Sequence, residues 1–133
     1  MTEVRAFPSR PESVTAARRF VVSLMHGLPS TIVDSVALAV SELATNCLRH
    51  AGTPFTISVD RDRDSLRIAV HDRGPGAPSV RSPGFAESSG RGLRIVERLA
   101  SDWGVVGAPY ADGGKTVWFS VRLPSLPLER TRG

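Results

Sequence analysis

The chain has 133 residues, a net charge of +4, 41% hydrophobic and 23% charged residues, and a single cysteine, Cys47. This length and composition are typical of one globular domain with a buried core, and one cysteine excludes an intrachain disulfide and a thiolate zinc site. The basic residues are scattered arginines with one lysine, which argues against direct nucleic-acid binding. Neither a signal peptide nor a membrane-length apolar run is evident, so we expect a reduced, cytoplasmic setting.

The N-terminal half predicts a short edge strand and two helices. Residues 4–7 can form the strand. Apolar residues then recur at helical spacing from about residue 12 to 28, where Gly27 and Pro29 stop the first helix. The second helix extends from about residue 30 to 50. Its predicted core stripe consists of Val36, Val40, Leu43 and Cys47.

The C-terminal half predicts a hairpin, an irregular segment, a third helix and two final strands. Alternating apolar residues indicate the strands, and glycines and prolines indicate the irregular segment. In chain order these elements span about residues 55–59 and 66–70, 73–90, 91–101, 105–106 and 117–123. This order favours the α+β class, as a two-layer α/β sandwich with a mixed, mainly antiparallel sheet and helices on one face.

Glu42 and Asn46 are four residues apart on the second predicted helix and therefore share one face. An amide oxygen is a suitable ligand for Mg²⁺, and asparagine inside a helix is unfavourable without a reason. The alternative is a capping or solvent-facing asparagine. A glutamate one turn earlier could orient or deprotonate an attacking hydroxyl, or could be an ordinary solvated glutamate.

The run Asp72-Arg73-Gly74-Pro75-Gly76 ends a predicted strand. A carboxylate there can accept a hydrogen bond from the exocyclic amine of adenine, while Gly74 and Gly76 let the backbone turn and approach a base. Many exposed turns have the same sequence pattern, so this motif alone is weak evidence for a contact with adenine. Its place between a strand and a flexible loop strengthens it.

Two further glycine motifs follow. Gly90-Arg91-Gly92-Leu93 opens the third helix, where free N–H groups and the helix dipole favour an anion. It matches neither a Walker loop nor a dinucleotide fingerprint, and a plain glycine-capped helix start is the alternative. Gly113-Gly114-Lys115-Thr116 enters the last strand and could also be an ordinary turn.

In this order the four motifs resemble the ATP-binding domain of gyrase-type topoisomerases, Hsp90, histidine kinases and mismatch-repair proteins, the GHKL or Bergerat superfamily. The small bacterial anti-sigma-factor serine/threonine kinases are the most similar branch. The resemblance implies a Bergerat fold with ATP and Mg²⁺ as cofactors. It makes residues 1–133 a single ATP-binding domain, with a core over about residues 5–123 and a frayed tail at 124–133.

The resemblance also assigns roles to residues. Glu42 becomes the proposed catalytic base, Asn46 the metal ligand, and Thr116 a contact of Asp72, often through water. Two departures stand out: Cys47 replaces an expected alanine, and the 77–89 loop is short for an ATP lid. The implied ATP-binding residues are Asn46, Asp72, Gly74, Gly76, Gly90, Arg91, Gly92, Leu93 and Thr116.

Three functions remain open at this point. The first is a serine/threonine kinase that binds a sigma factor and phosphorylates an anti-sigma-factor antagonist protein. The second is a non-catalytic ATP-binding interaction module. The third is a relative of histidine-kinase catalytic domains, although no phosphoacceptor helix is recognisable. The resemblance makes a homodimer possible, and we expect no membrane association.

Overall fold

The computed structural model describes residues 1–50, 52–73, 90–107 and 114–124, without the side chains of His50 and residues 90–93. The elements in chain order are β1 (Thr2–Phe7), α1 (Glu12–Ser23), α2 (Ser30–His50), β2 (Phe55–Arg61), β3 (Ser65–Asp72), α3 (Gly90–Leu99), β4 (Asp102–Gly107) and β5 (Lys115–Arg122). The expected 77–89 loop and, apart from Pro124, the expected frayed tail lie outside these residues.

The strands form one five-stranded sheet in the order β1-β2-β3-β5-β4. Every pairing between the described strands is antiparallel. Helix α2 packs against α1, α3 and β3, so the helices form a layer of their own against the sheet. The predicted α+β sandwich is therefore confirmed, with a sheet more uniformly antiparallel than expected.

The core lies between the inner face of the sheet and the helices. Because side chains alternate along a strand, every second residue of the three central strands points inward. These inward residues are the buried Phe55, Ile57, Val59, Leu66, Ile68, Val70, Val117, Phe119 and Val121. The predicted stripe of α2 is also confirmed, since Val36, Val40, Leu43 and Cys47 are all buried.

Helix α1 ends earlier than its apolar pattern predicts, at Ser23 and not near residue 28. The Nη1 atom of Arg61 donates hydrogen bonds of 3.0 Å to the carbonyl oxygens of both Leu24 and His26. Gly27 then has a φ of 84°, a left-handed conformation that suits glycine. The helix stops because a distant arginine satisfies carbonyls that a longer helix would have used itself.

Within the described residues, one helical stretch, Ser30–Arg49 of α2, is long and apolar enough to cross a membrane by length and composition. The sequence reading had expected no such run. The apolar residues of a central core helix pass the same test, and Val36, Val40, Leu43 and Ala44 of this helix are buried in the core. Packing against α1, α3 and β3 accounts for the composition of α2.

Candidate functional site

A buried ion pair lies where the apolar inner face of the sheet ends. Asp72 is the last residue of β3 and continues the inward series of Ile68 and Val70. The antiparallel register places Lys115, the first residue of β5, directly opposite it. The Lys115 Nζ atom is 2.6 Å from Asp72 Oδ2, and the two residues are only 8% and 3% exposed. Buried charges of this kind require a partner, and these two neutralise each other.

Gly114 allows the two strand ends to approach so closely. A Cβ atom at this position would overlap the backbone carbonyl oxygen of Asp72. Any other residue would push the start of β5 away from the end of β3. The glycine of the sequence motif Gly113-Gly114 therefore has a structural role at the site as well as a place in the turn.

Helix α2 contributes the thiol of Cys47 to the same place. Its Sγ atom donates a hydrogen bond of 3.7 Å to Asp72 Oδ2. Burial and, to a lesser extent, the negative charge of Asp72 raise the pKa of Cys47 to about 12, while Lys115 opposes the shift. The thiol therefore stays protonated at neutral pH and acts as a weak donor, not as a nucleophile.

Asn46, the neighbour of Cys47, carries an unsatisfied polar atom. The residue is 4% exposed, and its Nδ2 atom has no hydrogen-bond partner among the residues that the structure describes. An unpaired buried amide lowers stability by about 1–3 kcal/mol. Such a group therefore usually serves a purpose other than stabilising the fold. Glu42 lies one turn earlier on the same helix and is half-buried, as the spacing of the two residues predicts.

These side chains enclose a small cavity between α2, β3 and β5. Its volume is about 10 Å³, roughly the space of one water molecule. The cavity is lined by Leu43, Asn46, Cys47, Val70, Asp72, Lys115 and Val117. Asp72 and Lys115 are the only charged residues among them, so the cavity is apolar except for one ion pair and one amide.

The Thr116 side chain faces away from Asp72, and the expected contact between the two stays a prediction. Its Oγ1 atom lies 2.7 Å from Nδ1 of His71, its register partner on the outer face of the sheet. Side chains of adjacent strand residues point to opposite faces, so only Lys115 of this pair can face Asp72. Sequence reasoning missed Lys115, although continuing the alternation of Phe119 and Val117 backwards by two residues would have placed it inward.

The remaining predicted site residues are only partly described. Gly90, Arg91, Gly92 and Leu93 form the first turn of α3, which packs against α2 and β4. Their helical backbone agrees with the predicted helix start, and a role in binding stays a prediction. Gly74 and Gly76 lie outside the described residues.

Among the residues that the structure describes, no group of three or more His, Cys, Asp or Glu side chains could hold a metal ion. Mg²⁺ usually takes one or two protein ligands and completes its shell with waters and phosphate oxygens. The single amide of Asn46 is compatible with that kind of site.

The structure has an antiparallel sheet with helices packed against it and a buried acid where a central strand ends. These features define the class of α+β domains that the sequence motifs predict. A family model described as the histidine kinase-like ATPase domain matches residues 7–121. The match covers most of the chain, and the protein therefore belongs to the histidine kinase-like ATPase domain family.

Two relatives show which kinds of protein kinase the chain is similar to. The serine/threonine-protein kinase RsbT of Bacillus subtilis is 32% identical over 100 residues, which are 68% of this chain and 75% of RsbT. The signal transduction histidine-protein kinase AfsQ2 of Streptomyces coelicolor is 33% identical over 102 residues, which are 66% of this chain and 19% of AfsQ2. The chain thus spans about a fifth of the histidine kinase but most of the serine/threonine kinase.

Proposed function

We propose that this protein is an ATP-dependent serine/threonine kinase of a bacterial signalling pathway. It transfers the γ-phosphate of ATP to a serine or threonine of an anti-sigma-factor antagonist and thereby controls a sigma factor in the cytoplasm. Family membership and the similarity to the serine/threonine-protein kinase RsbT support the kinase assignment. The observation that carries the site is the buried Asn46, whose Nδ2 atom has no hydrogen-bond partner among the described residues, in a cavity that Asp72 also lines.

Asp72 is the proposed residue for recognition of the base. A carboxylate accepts hydrogen bonds only, so it fits the exocyclic amine of adenine and not the carbonyl oxygen of guanine at the same position. Its burial makes a mismatched base costly, because a polar group without a partner would then be enclosed. Selection of ATP over GTP follows from this arrangement.

Asn46, Glu42 and the first turn of α3 are proposed to act at the phosphates. The amide oxygen of Asn46 would bind Mg²⁺, and the N–H groups at Gly90 would receive a phosphate. When bound, ATP would supply the phosphoryl group, and Mg²⁺ would supply the positive charge that offsets the negative charge of the phosphates. Glu42 would accept the proton of the incoming hydroxyl, which suits a half-buried carboxylate beside the metal ligand.

Calorimetric titration with Mg-ATP and Mg-GTP tests the site first. We expect ATP to bind and GTP to bind at least tenfold more weakly, a difference of about 1.4 kcal/mol. Asp72→Asn should weaken ATP binding by about 1–3 kcal/mol. Asp62→Asn is the matched control, because Asp62 is exposed in the turn before β3. Equal affinity of both variants would remove Asp72 from the base site.

Phosphoryl transfer is tested with radiolabelled ATP and the antagonist proteins of a bacterial host. Glu42→Ala should retain ATP binding and lose transfer, whereas Asn46→Ala should lose the Mg²⁺ dependence of binding. Transfer by Glu42→Ala at the wild-type rate would eliminate Glu42 as the base. Binding by Asn46→Ala with full Mg²⁺ dependence would eliminate Asn46 as the ligand.

A non-catalytic ATP-binding interaction module is the second candidate. The observation that favours it is the cavity that described residues line beside Asp72, whose volume of about 10 Å³ is smaller than a base. ATP binding together with capture of a sigma factor, but no transfer to any antagonist, would establish this alternative over the kinase.

A further inference from the structure

Lys115 is a buried cation that the proposed function does not use. It is the only lysine among the 17 basic residues of the chain. Lysine is almost never fully buried unless it is paired, yet Lys115 is 8% exposed and its ammonium lies 2.6 Å from the carboxylate proposed to read adenine. An ammonium group therefore already donates to Oδ2 of the carboxylate that the amine of a base would have to reach.

We infer that Lys115 is a built-in competitor of the nucleotide base: its ammonium occupies the hydrogen-bonding position on Asp72 and must leave before adenine can bind. The inference rests on the proposed ATP site and adds a residue that lowers its affinity. Lys115 thereby sets the concentration of nucleotide at which the site fills.

The space around the ion pair supports this inference. Sites for small molecules commonly enclose about 300–1,000 Å³, whereas the cavity beside Asp72 has about 10 Å³. The Lys115 side chain is one of its walls. In the part of the chain that the structure describes, this side chain fills space next to the carboxylate.

The charges around the cavity determine where the ammonium can go. Among the described residues that line the cavity, Asp72 carries the only negative charge, and the others from α2, β3 and β5 are Leu43, Asn46, Cys47, Val70 and Val117. Separating a buried ammonium from its carboxylate carries a large penalty. Binding of a base to Asp72 has to break this ion pair, and that penalty appears as weaker affinity.

The register of the sheet makes Lys115, and not its neighbours, the competitor. Asp72 and Lys115 are directly opposed at the ends of β3 and β5, and the missing Cβ of Gly114 keeps the two backbones close. Thr116 faces the other side of the sheet. A smaller polar residue at position 115 would leave Asp72 accessible without disturbing this register.

Titration calorimetry of the full chain with Mg-ATP tests the inference. Lys115→Thr should bind Mg-ATP about tenfold more tightly than the wild type, because the internal donor is gone. Lys115→Met keeps the bulk and removes the charge, so it should gain less than Lys115→Thr. The matched control Arg122→Thr, which removes an exposed basic residue from the other end of β5, should bind as the wild type does.

A second measurement uses the wild-type chain and does not depend on how a variant folds. With ¹⁵N-labelled lysine, the single side-chain signal of Lys115 reports directly on its ammonium group. Saturation with Mg-ATP should convert this signal from a slowly exchanging, buried ammonium into one that exchanges rapidly with water. Inorganic phosphate with Mg²⁺ carries no base and should leave the signal unchanged.

The outcomes separate this inference from the proposed function. Tighter binding by Lys115→Thr, together with release of the ammonium in the wild type, supports it. If ATP binds wild type and Lys115→Thr equally, or the signal stays buried in the saturated complex, Lys115 is no competitor, although the ATP site stands. If neither folded protein binds Mg-ATP, both the site and the inference are overturned.

Discussion

The two ends of β3 each carry an aspartate, and the two differ in where their partners come from. In the turn before β3, Asp62 Oδ1 accepts hydrogen bonds of 2.8 and 2.9 Å from the backbone N–H groups of Asp64 and Ser65. At the other end, Asp72 is contacted by Cys47 and Lys115, which are 25 and 43 residues away in the chain. One aspartate is exposed and the other is buried.

This difference separates an acid with local partners from one whose partners lie far away in the chain. The exposed turn satisfies its carboxylate within three residues and retains its contact with water. The buried end brings together two charges and a thiol, and the Nδ2 atom of Asn46 there has no hydrogen-bond partner among the described residues. Burying polar groups opposes folding unless each is paired, so this end is the natural place to test for a function.

The largest expected effect comes from breaking the ion pair at the buried end. Lys115→Met leaves the carboxylate of Asp72 without its cation inside the protein, and we expect the free energy of unfolding to fall by about 3–5 kcal/mol. Chemical denaturation measures this loss. A change as small as that of an exposed ion pair, about 0.5 kcal/mol, would contradict the burial of the pair.

The double variant Lys115→Met with Asp72→Leu serves as the control. It removes both charges, so it should recover most of the stability that Lys115→Met loses, because no unpaired charge remains. Additive losses in the two single variants and the double variant would mean that the two side chains do not interact.

A smaller effect is expected from the thiol at the same end. The pKa of Cys47 rises from 9.0 in the unfolded chain to about 12 in the folded one, mainly through burial. A raised pKa means that its contribution to stability is complete below pH 9.0 and is lost as the pH rises to about 12. Wild-type stability should fall by up to about 1.4 kcal/mol per pH unit in this window.

Cys47→Ala should have a flatter profile between those two pH values. Urea denaturation at a series of pH values compares the two proteins, and the difference between them cancels the titration of the other side chains. Parallel profiles would show that the thiol is not buried beside Asp72.

The smallest effect is expected at the exposed end. Backbone hydrogen bonds from Asp64 and then Ser65 lower the pKa of Asp62 below 3.8. A lowered pKa means that its stabilising contribution is present above pH 3.8 and is lost as the pH falls through the folded value. Asp62→Ala should lower the melting temperature slightly at neutral pH, and this difference should vanish in acid. A loss of stability as large as that of Lys115→Met would contradict the difference between the two ends of β3.

Local patterns predicted much of the framework. The alternation around Ile57 and Ile68 placed β2 and β3, and the stripe containing Val36 and Leu43 placed the buried face of α2. The same alternation put Asp72 on the inner face, and the four-residue spacing put Glu42 and Asn46 on one side of α2. Each of these features depends on residues close together in the chain.

The sequence by itself thus determined which segments form strands and helices and which face of each is apolar, because side-chain periodicity is a local property. Only the tertiary structure decided that Lys115 and not Thr116 meets Asp72, since a shift of one residue in strand register exchanges the two faces. The tertiary structure also ended α1 at Ser23, through an arginine on β2. Alternation along β5 can place Lys115 on the inner face, but only the register with β3 sets it opposite Asp72. That register and the end of α1 depend on contacts between distant residues.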